Sequence, residues 1–579
     1  MSLRELLELP QAVPLDADGE CVLVGASFSG TQQLYRRRGA ELEQLTDFAE
    51  PVDGLLLPGG RVLLSIDEGG NERGQLLVVD TTGKAAELVV EPDFIHWTPQ
   101  VSRDGLLLAY ASNRRNGRDF DVYVRSLGTG QERCVFAGGW SEVASFSPGG
   151  RALAVRRATE RSGDNELWLV DLEGGGPVEV APHADDGYLG PPAWTTDDEF
   201  FVSTSVGRDP CAIARGGKEV VLESEWDLEC WSDPTGRILL VEVNEEGYSR
   251  LELRDAVSLE LRSEVPLPGR GVVEHPVFSP DGSRLVFGFS SPVEPPNVWA
   301  YGVESHEVER LTNIRAPAGL MEPALHRFAS FDGLSVPTFL WEPEGEGPFP
   351  IVIMIHGGPE SQFRPQWLPS FTPLTQHLVA SGYAVAAPNV RGSTGYGRRY
   401  EHLDDGRLRL DSVRDLASLH DWLETRPRLD ASSTVLYGRS YGGYMTLAGL
   451  AFHPERWAAG VESVGISNLV TFLENTSEWR RGVREREYGW LDRDCDFLEA
   501  ASPLNSVDSI RAPLFIQHGA NDPRVPLSET RQIHRVLTEK GIRCDLLVLA
   551  DEGHSIGKLS NRIETFEGAE AFLREVIGR

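Results

Sequence analysis

The 579-residue sequence predicts two domains in series, a seven-bladed β-propeller and then an α/β-hydrolase sheet, and three observations carry that prediction. A short turn motif returns seven times before residue 318. A Gly-x-Ser-x-Gly turn stands between a strand pattern and a helix pattern around Ser440. An aspartate and a histidine, Asp522 and His554, then follow in that order, each just past an apolar run.

Each repeat turn reads as Ser-Pro-Asp-Gly or a variant of it and runs into an apolar strand; the turns begin at Asp16, Leu57, Ser102, Ser147, Thr195, Asp233 and Ser279. Successive turns lie about 40 to 48 residues apart, the length of one four-stranded propeller blade. A second strand recurs inside the units, as in Gln75-Leu76-Leu77-Val78-Val79-Asp80 and Glu166-Leu167-Trp168-Leu169-Val170-Asp171. Seven irregular hairpins of a large sandwich are the competing reading, and the even spacing argues against them. The repeats hold no His-Cys cluster, phosphate loop or paired-carboxylate motif, so the propeller is expected to act as a gate or docking surface. The expected division is a short N-terminal amphipathic helix in 1–14, the propeller in 15–317 and the hydrolase in 318–579. Its boundary falls at Ala316-Pro317-Ala318, Ala329 to Gly333 open the hydrolase sheet, and the last blade meets the first without a latch.

In the second half, Thr434-Val435-Leu436-Tyr437 reads as a strand and Tyr444 to Leu450 as a helix, with Gly438-Arg439-Ser440-Tyr441-Gly442-Gly443 between them. A serine hydroxyl is a poor nucleophile at neutral pH, so it must stand exposed on a tight turn that a base can reach. Small neighbours let the strand and helix close around it, and Gly438 and Gly442 supply them. Pro513 to Gly519 reads as a buried strand leading to Asn521-Asp522-Pro523-Arg524, which makes Asp522 the candidate acid. Cys544 to Leu549 reads as the next strand and leads to Asp551-Glu552-Gly553-His554, which makes His554 the candidate base. Asp551 is the rival acid, and His356 and His518 come too early in the order to be the base. The apolar strand Phe349 to Ile355 ends in His356-Gly357-Gly358-Pro359, a loop placed to give an oxyanion hole from the amides of Gly358 and Tyr441. Phe472, Leu473, Trp479 and Trp490 belong either to a substrate pocket or to the core.

A seven-unit propeller followed by this hydrolase pattern resembles the prolyl oligopeptidase family of serine peptidases over nearly the whole chain. Within it, His356-Gly357-Gly358-Pro359, Gly438 to Met445, His518 to Pro526 and Asp551-Glu552-Gly553-His554 are most similar to the acylaminoacyl-peptidase branch. The resemblance implies a triad of Ser440, Asp522 and His554, and a substrate-binding role for Arg524, which an ion pair with a neighbouring acid would equally explain. It also implies a propeller lid that admits only short or unfolded peptides. The dipeptidyl-peptidase branch carries a glutamate pair in the propeller for a free substrate amine. Here the adjacent pair Glu245-Glu246 precedes Gly247 and reads as a hairpin turn, which discounts that activity.

Composition bounds the rest. A formal charge of −33 repels nucleic acid and anionic membrane surfaces, so neither is an expected partner, and short peptides are. No stretch approaches the length of a membrane span, and Met1 to Pro10 lacks the pattern of a signal peptide. The six cysteines are dispersed without metal-type spacing, so reduced thiols in a cytoplasm are expected, with no metal and no cofactor. The expected activity is therefore a serine exopeptidase of the acylaminoacyl-peptidase type. An aminopeptidase or carboxypeptidase of the same family, a carboxylic-ester hydrolase and a non-catalytic propeller scaffold are the alternatives, and homo-oligomerisation stays open.

Overall fold

The computed structural model describes residues 2–578 and contains seven four-stranded antiparallel sheets followed by one eight-stranded sheet. The seven blades occupy 12–44, 52–89, 96–136, 141–180, 193–222, 228–264 and 272–310. The repeat turns fall at the junction of the first and second strands of each blade, although in blade 1 Asp16 to Asp18 still belong to the first strand and the chain reverses at Gly19 and Glu20. Each blade is built from four consecutive strands, so no strand of the last blade completes the first. Apolar residues of neighbouring blades fill the space between them instead: Ala12, Val22 and Val24 of blade 1 pack with Val286, Val298 and Ala300 of blade 7.

The hydrolase sheet begins earlier than the turn chemistry predicts. Its strands are β1 (Ala324–Ala329), β2 (Ser335–Trp341), β3 (Phe349–Ile355), β4 (Ala384–Pro388), β5 (Leu429–Arg439), β6 (Ala459–Ser463), β7 (Leu514–Gly519) and β8 (Cys544–Leu549). Their spatial order is β1-β2-β4-β3-β5-β6-β7-β8, antiparallel through β1, β2 and β4 and parallel thereafter. Ser330 to Gly333, expected to open the sheet, form the turn between β1 and β2, with Gly333 at φ 86°. As an edge strand, β1 is mostly exposed or half-buried and shows no apolar run to announce it.

Period-two alternation distributes the strands between two cores. Ile351, Ile353 and Ile355 face one layer, with Val413, Leu416 and Leu447; Val352 and Met354 face the other, with Leu374, Phe566 and Phe572. The helices used below are α1 (Leu3–Leu7), α2 (Thr372–Ala380), α3 (Arg409–Glu424), α4 (Tyr441–Phe452), α5 (Glu478–Tyr488), α6 (Leu527–Glu539) and α7 (Leu559–Ile577). Although it precedes the propeller in sequence, α1 packs on the hydrolase: Leu3 and Leu7 join the α2/α7 core, and Arg4 Nε lies 2.9 Å from Glu567. Among the described residues no helix is long and apolar enough to cross a membrane.

Candidate active site

Strand β5 delivers the chain to Ser440 at φ 58°, ψ −119°, and α4 begins at the next residue. This left-handed backbone at a non-glycine residue is the strained elbow that exposes a serine above a parallel sheet. Its glycines are steric requirements: a Cβ on Gly438 would lie 2.0 Å from Gly442 O, and one on Gly442 would lie 2.2 Å from Ile355 O.

The loops after β7 and β8 meet at this elbow. His554 Nε2 is 3.0 Å from Ser440 Oγ, and His554 Nδ1 is 2.7 Å from Asp522 Oδ2. The other carboxylate oxygen, Asp522 Oδ1, accepts the N–H groups of Arg524 (2.8 Å) and Val525 (3.0 Å), so both oxygens are held. Burial by itself would raise the Asp522 carboxyl, but His554, His518 and the Val525 amide hold it below the usual range. Burial pushes the His554 imidazole down to about 4, outweighing the opposing pull of Asp522. His554 is therefore neutral at pH 7, with Nε2 free to accept a proton from Ser440.

The rival groups are occupied elsewhere. Asp551 is exposed and bonds Lys558 Nζ (2.9 Å) and Asn561 (3.0 Å). His518 spans Thr530 and the Val525 carbonyl, and His356 spans Gly357 O and Ser393 Oγ, so both brace loops. The link from Gly357 to Gly358 lies against the nucleophile, since a Cβ on Gly357 would stand 3.5 Å from the Ser440 Cβ. Tyr441 is the first residue of α4, so its N–H has no carbonyl partner one helical turn earlier. Its ring is buried, and its hydroxyl lies 2.7 Å from both Asp404 and Ser412.

The propeller reaches into this region through the loop joining the second and third strands of blade 2. Gly69 O accepts a bond from Asn521 Nδ2 (2.9 Å). Gly70 touches Gly553 backbone to backbone, its own Cβ position lying 2.4 Å from Gly553 N. Glu72, at φ 57°, pairs with Arg524 Nε at 2.5 Å. Arg524 thus lies in the cleft, engaged by a propeller acid that sequence reasoning missed, since the partners are 452 positions apart. The Gly69-Gly70 pair, inside a blade, was the available signal of a close backbone approach.

A cavity of about 700 Å³ lies beside the triad loops, lined by Glu72, Trp97, Trp479, Arg480 and Arg524 among others. Of the apolar and aromatic residues expected in pocket or core, Phe472 and Leu473 are core. Trp479 packs edge-on against Trp97, Phe120 and Trp140 of the propeller, at 5.9–6.0 Å between centroids. Trp490 carries the guanidinium of Arg493 on its face, 4.4 Å from the centroid. Glu246 sits at a hairpin tip and pairs with Arg327 (2.7 Å), so the Glu245-Glu246 pair is already neutralised on one side. Among the described residues one acidic group could hold a metal ion, that of Asp404, Asp405 and Glu487, and the Arg409 guanidinium already bonds two of the three.

This arrangement has the geometry that acyl transfer by a serine requires. The profile described as "Prolyl oligopeptidase family" matches residues 369–579, and that of the "Prolyl oligopeptidase, N-terminal beta-propeller domain" matches residues 58–313. Dipeptidyl aminopeptidase BIII of Pseudoxanthomonas mexicana is 27% identical over 559 residues, covering 88% of this chain and 78% of the relative. The acylamino-acid-releasing enzyme of Homo sapiens is 25% identical over 380 residues, covering 61% of this chain and 50% of the relative. A solved puromycin-hydrolyzing peptidase of Mycobacterium tuberculosis has the same fold, with a TM-score of 0.87 at 20% identity, covering 100% of this chain and 96% of that one.

Proposed function

The chain belongs to the prolyl oligopeptidase family of serine peptidases, and from that premise we propose that it hydrolyses short peptides through Ser440, His554 and Asp522, releasing N-acylated residues. The observation that carries the reading is the unbroken hydrogen-bonded chain from Ser440 Oγ through both imidazole nitrogens to a buried carboxylate. Ser440 Oγ attacks the scissile carbonyl while His554 Nε2 takes its proton, and Asp522 keeps the tautomer that leaves Nε2 free. The amides of Gly358 and Tyr441 stabilise the tetrahedral oxyanion; a donor of that kind is worth about 3–4 kcal/mol. His554 then protonates the leaving amine, water attacks the acyl-enzyme with His554 again as base, and Ser440 is regenerated.

The preference for acylated ends rests on the similarity to acylamino-acid-releasing enzymes and on the occupied Glu246. A second reading, an aminopeptidase, is favoured by the Glu72 carboxylate in the cleft and by the relative described as a dipeptidyl aminopeptidase. Three chromogenic substrates with one apolar residue before the scissile bond separate the two: N-acetylated, free-amine and N-terminally extended, each beside Ser440→Ala. Faster turnover of the acetylated form is the expected outcome, and faster turnover of the free amine assigns an aminopeptidase. Turnover surviving in Ser440→Ala refutes the mechanism. An ester with the same acyl group distinguishes an ester hydrolase, and labelling by a serine-directed phosphonate excludes a non-catalytic scaffold.

A further inference from the structure

Arg480 occupies the first turn of α5 and lines the 700 Å³ cavity together with Arg524 and Glu72. The neighbouring arginines of α5 are engaged: Arg484 pairs with Glu360 at 3.2 Å, and Arg486 donates to Thr159 O at 2.7 Å. Arg480 differs. Among the described residues its side chain forms no ion pair or hydrogen bond, its Nε is buried without a partner, and its neighbours are the faces of Trp479 and Trp140, 5.2 and 5.9 Å away. Burial and the positive charges of Arg484 and Arg524 push its guanidinium down to about 9. Glu72 and Asp522 are the carboxylates that act on it, and both are engaged elsewhere: Glu72 accepts from Arg524 Nε and Asp522 is bonded to His554 Nδ1. The Asp67 carboxylate, also on the cavity wall, accepts the Glu72 N–H at 3.0 Å. Arg480 thus faces carboxylates that are already bonded to other groups, in a cavity walled by tryptophan, and a half-buried cation that no carboxylate bonds directly is costly to fold.

The position of this cation ties it to the reaction. Thr476 Oγ1 donates to Arg524 O and Ser477 Oγ to Pro523 O, both at 2.8 Å, so the start of α5 is fastened to the loop that carries Asp522. A planar fork fixed beside the acid loop suits a carboxylate that arrives with the substrate. We propose that Arg480 and Arg524 form an anchor for a substrate carboxylate, so that the preferred substrates are peptides carrying an acidic group. This deepens the peptidase reading above and rests on it. The carboxylate comes from an acidic acyl cap or side chain, or from the peptide's own C-terminus, and the recognition chemistry is the same.

The test is a ratio of kcat/KM within matched pairs: succinyl against acetyl caps, Glu against Gln beside the scissile residue, and a C-terminal acid against its amide. In the wild type at least one pair should favour the carboxylate by about tenfold or more, chiefly through KM, as a charge-assisted bond implies. Arg480→Met should bring that ratio close to one. Glu72→Gln, which frees Arg524 from its propeller partner, should raise it, so the two variants move in opposite directions. The anchor is refuted if no pair shows a preference, if Arg480→Met keeps it, or if Glu72→Gln lowers it while Ser440 is still labelled by a phosphonate. Absence of labelling and of all turnover in the wild type overturns the peptidase reading itself, and the anchor with it.

Discussion

Beneath the nucleophile elbow, the guanidinium of Arg409 is fully buried between two fully buried carboxylates, Asp404 and Glu487. It also packs against the rings of Tyr441 and Tyr488, at 5.1 and 4.8 Å from their centroids. Ser162, on the hydrolase-facing side of blade 4, donates to Glu487, so the network runs from the propeller to Tyr441. Arg409→Met keeps most of the aliphatic volume and removes the charge, leaving both carboxyls in a dry environment. Breaking a buried pair in this way costs about 3–5 kcal/mol. Burial already pushes both carboxyls above their ordinary range, most strongly Glu487, and without Arg409 they rise further.

The sign of the pH dependence follows. A carboxyl whose folded pKa is raised carries no penalty below its unfolded value, and the penalty grows as pH climbs towards the folded value, by at most about 1.4 kcal/mol per unit for each group. Arg409→Met is therefore expected to lose more stability at pH 8 than at pH 5.5, measured as the shift in urea midpoint. Adding Asp404→Asn and Glu487→Gln should recover part of the loss at pH 8, because neutral amides need no counter-charge. Equal destabilisation at both pH values, or a triple variant less stable than the single one, would refute the assignment of these groups as a charge-balanced set.

Other outcomes are open to direct measurement. Because His554 must be neutral to accept the serine proton and burial lowers it to about 4, the acid limb of kcat/KM should fall below the ordinary imidazole value of about 6.5; a limb centred at or above 6.5 contradicts this. Among the described residues Glu462 has one buried oxygen without a partner and accepts only from Gly465 N, at 2.7 Å; burial raises it to about 8. Its stability cost develops as pH rises from the unfolded value near 4.3 to 8, so Glu462→Gln should stabilise the protein at pH 8, by up to about 5 kcal/mol, and change little at pH 4.5, read from thermal midpoints. Gly70→Ala places a Cβ 2.4 Å from Gly553 N at φ 73° and should reduce kcat by displacing the His554 loop, with an unfolding free energy from urea melts lower by about 1–2 kcal/mol; unchanged kcat removes the loop from the active-site support.

The parts legible in sequence are those whose chemistry is local. A blade needs a tight turn after its first strand, so Ser102-Arg103-Asp104-Gly105 and its counterparts mark the period. An elbow needs glycine at 438 and 442, where no side chain fits. The residues that sequence reasoning missed act across the domain boundary, and nothing in their local pattern says so. Glu72 looks like one more acid in an acidic chain, and Arg480 like one of several arginines along an exposed helix face. Trp479 is apolar enough for pocket or core, and its edge-on packing against Trp97, Phe120 and Trp140 depends on how the domains meet. Buried charges such as Arg409 are hidden for the same reason, because their partners arise from distant turns.

The route to the site poses a last question that one residue can answer. Residues of all seven blades line a central channel of about 990 Å³, and Leu55 and Gln100 line both this channel and the cavity beside the triad loops. Arg103 stands where the turns at Ser147 and Ser279 carry proline, and it reaches across the channel to the far side. Its guanidinium donates to Pro234 O at 2.6 Å and to Pro280 O at 3.4 Å, on blades 6 and 7. A cation bonded to two carbonyls bars the outer mouth without closing the inner space. If peptides use this channel, Arg103→Ala should raise kcat/KM for a ten-residue peptide severalfold relative to a tripeptide, with the tripeptide rate little changed. The two carbonyls it releases are solvent-exposed and cost little to free, so stability should hold. An unchanged length preference would refute the channel as the route and assign access to the domain boundary, where Glu72, Trp479 and the Gly70 loop meet the hydrolase.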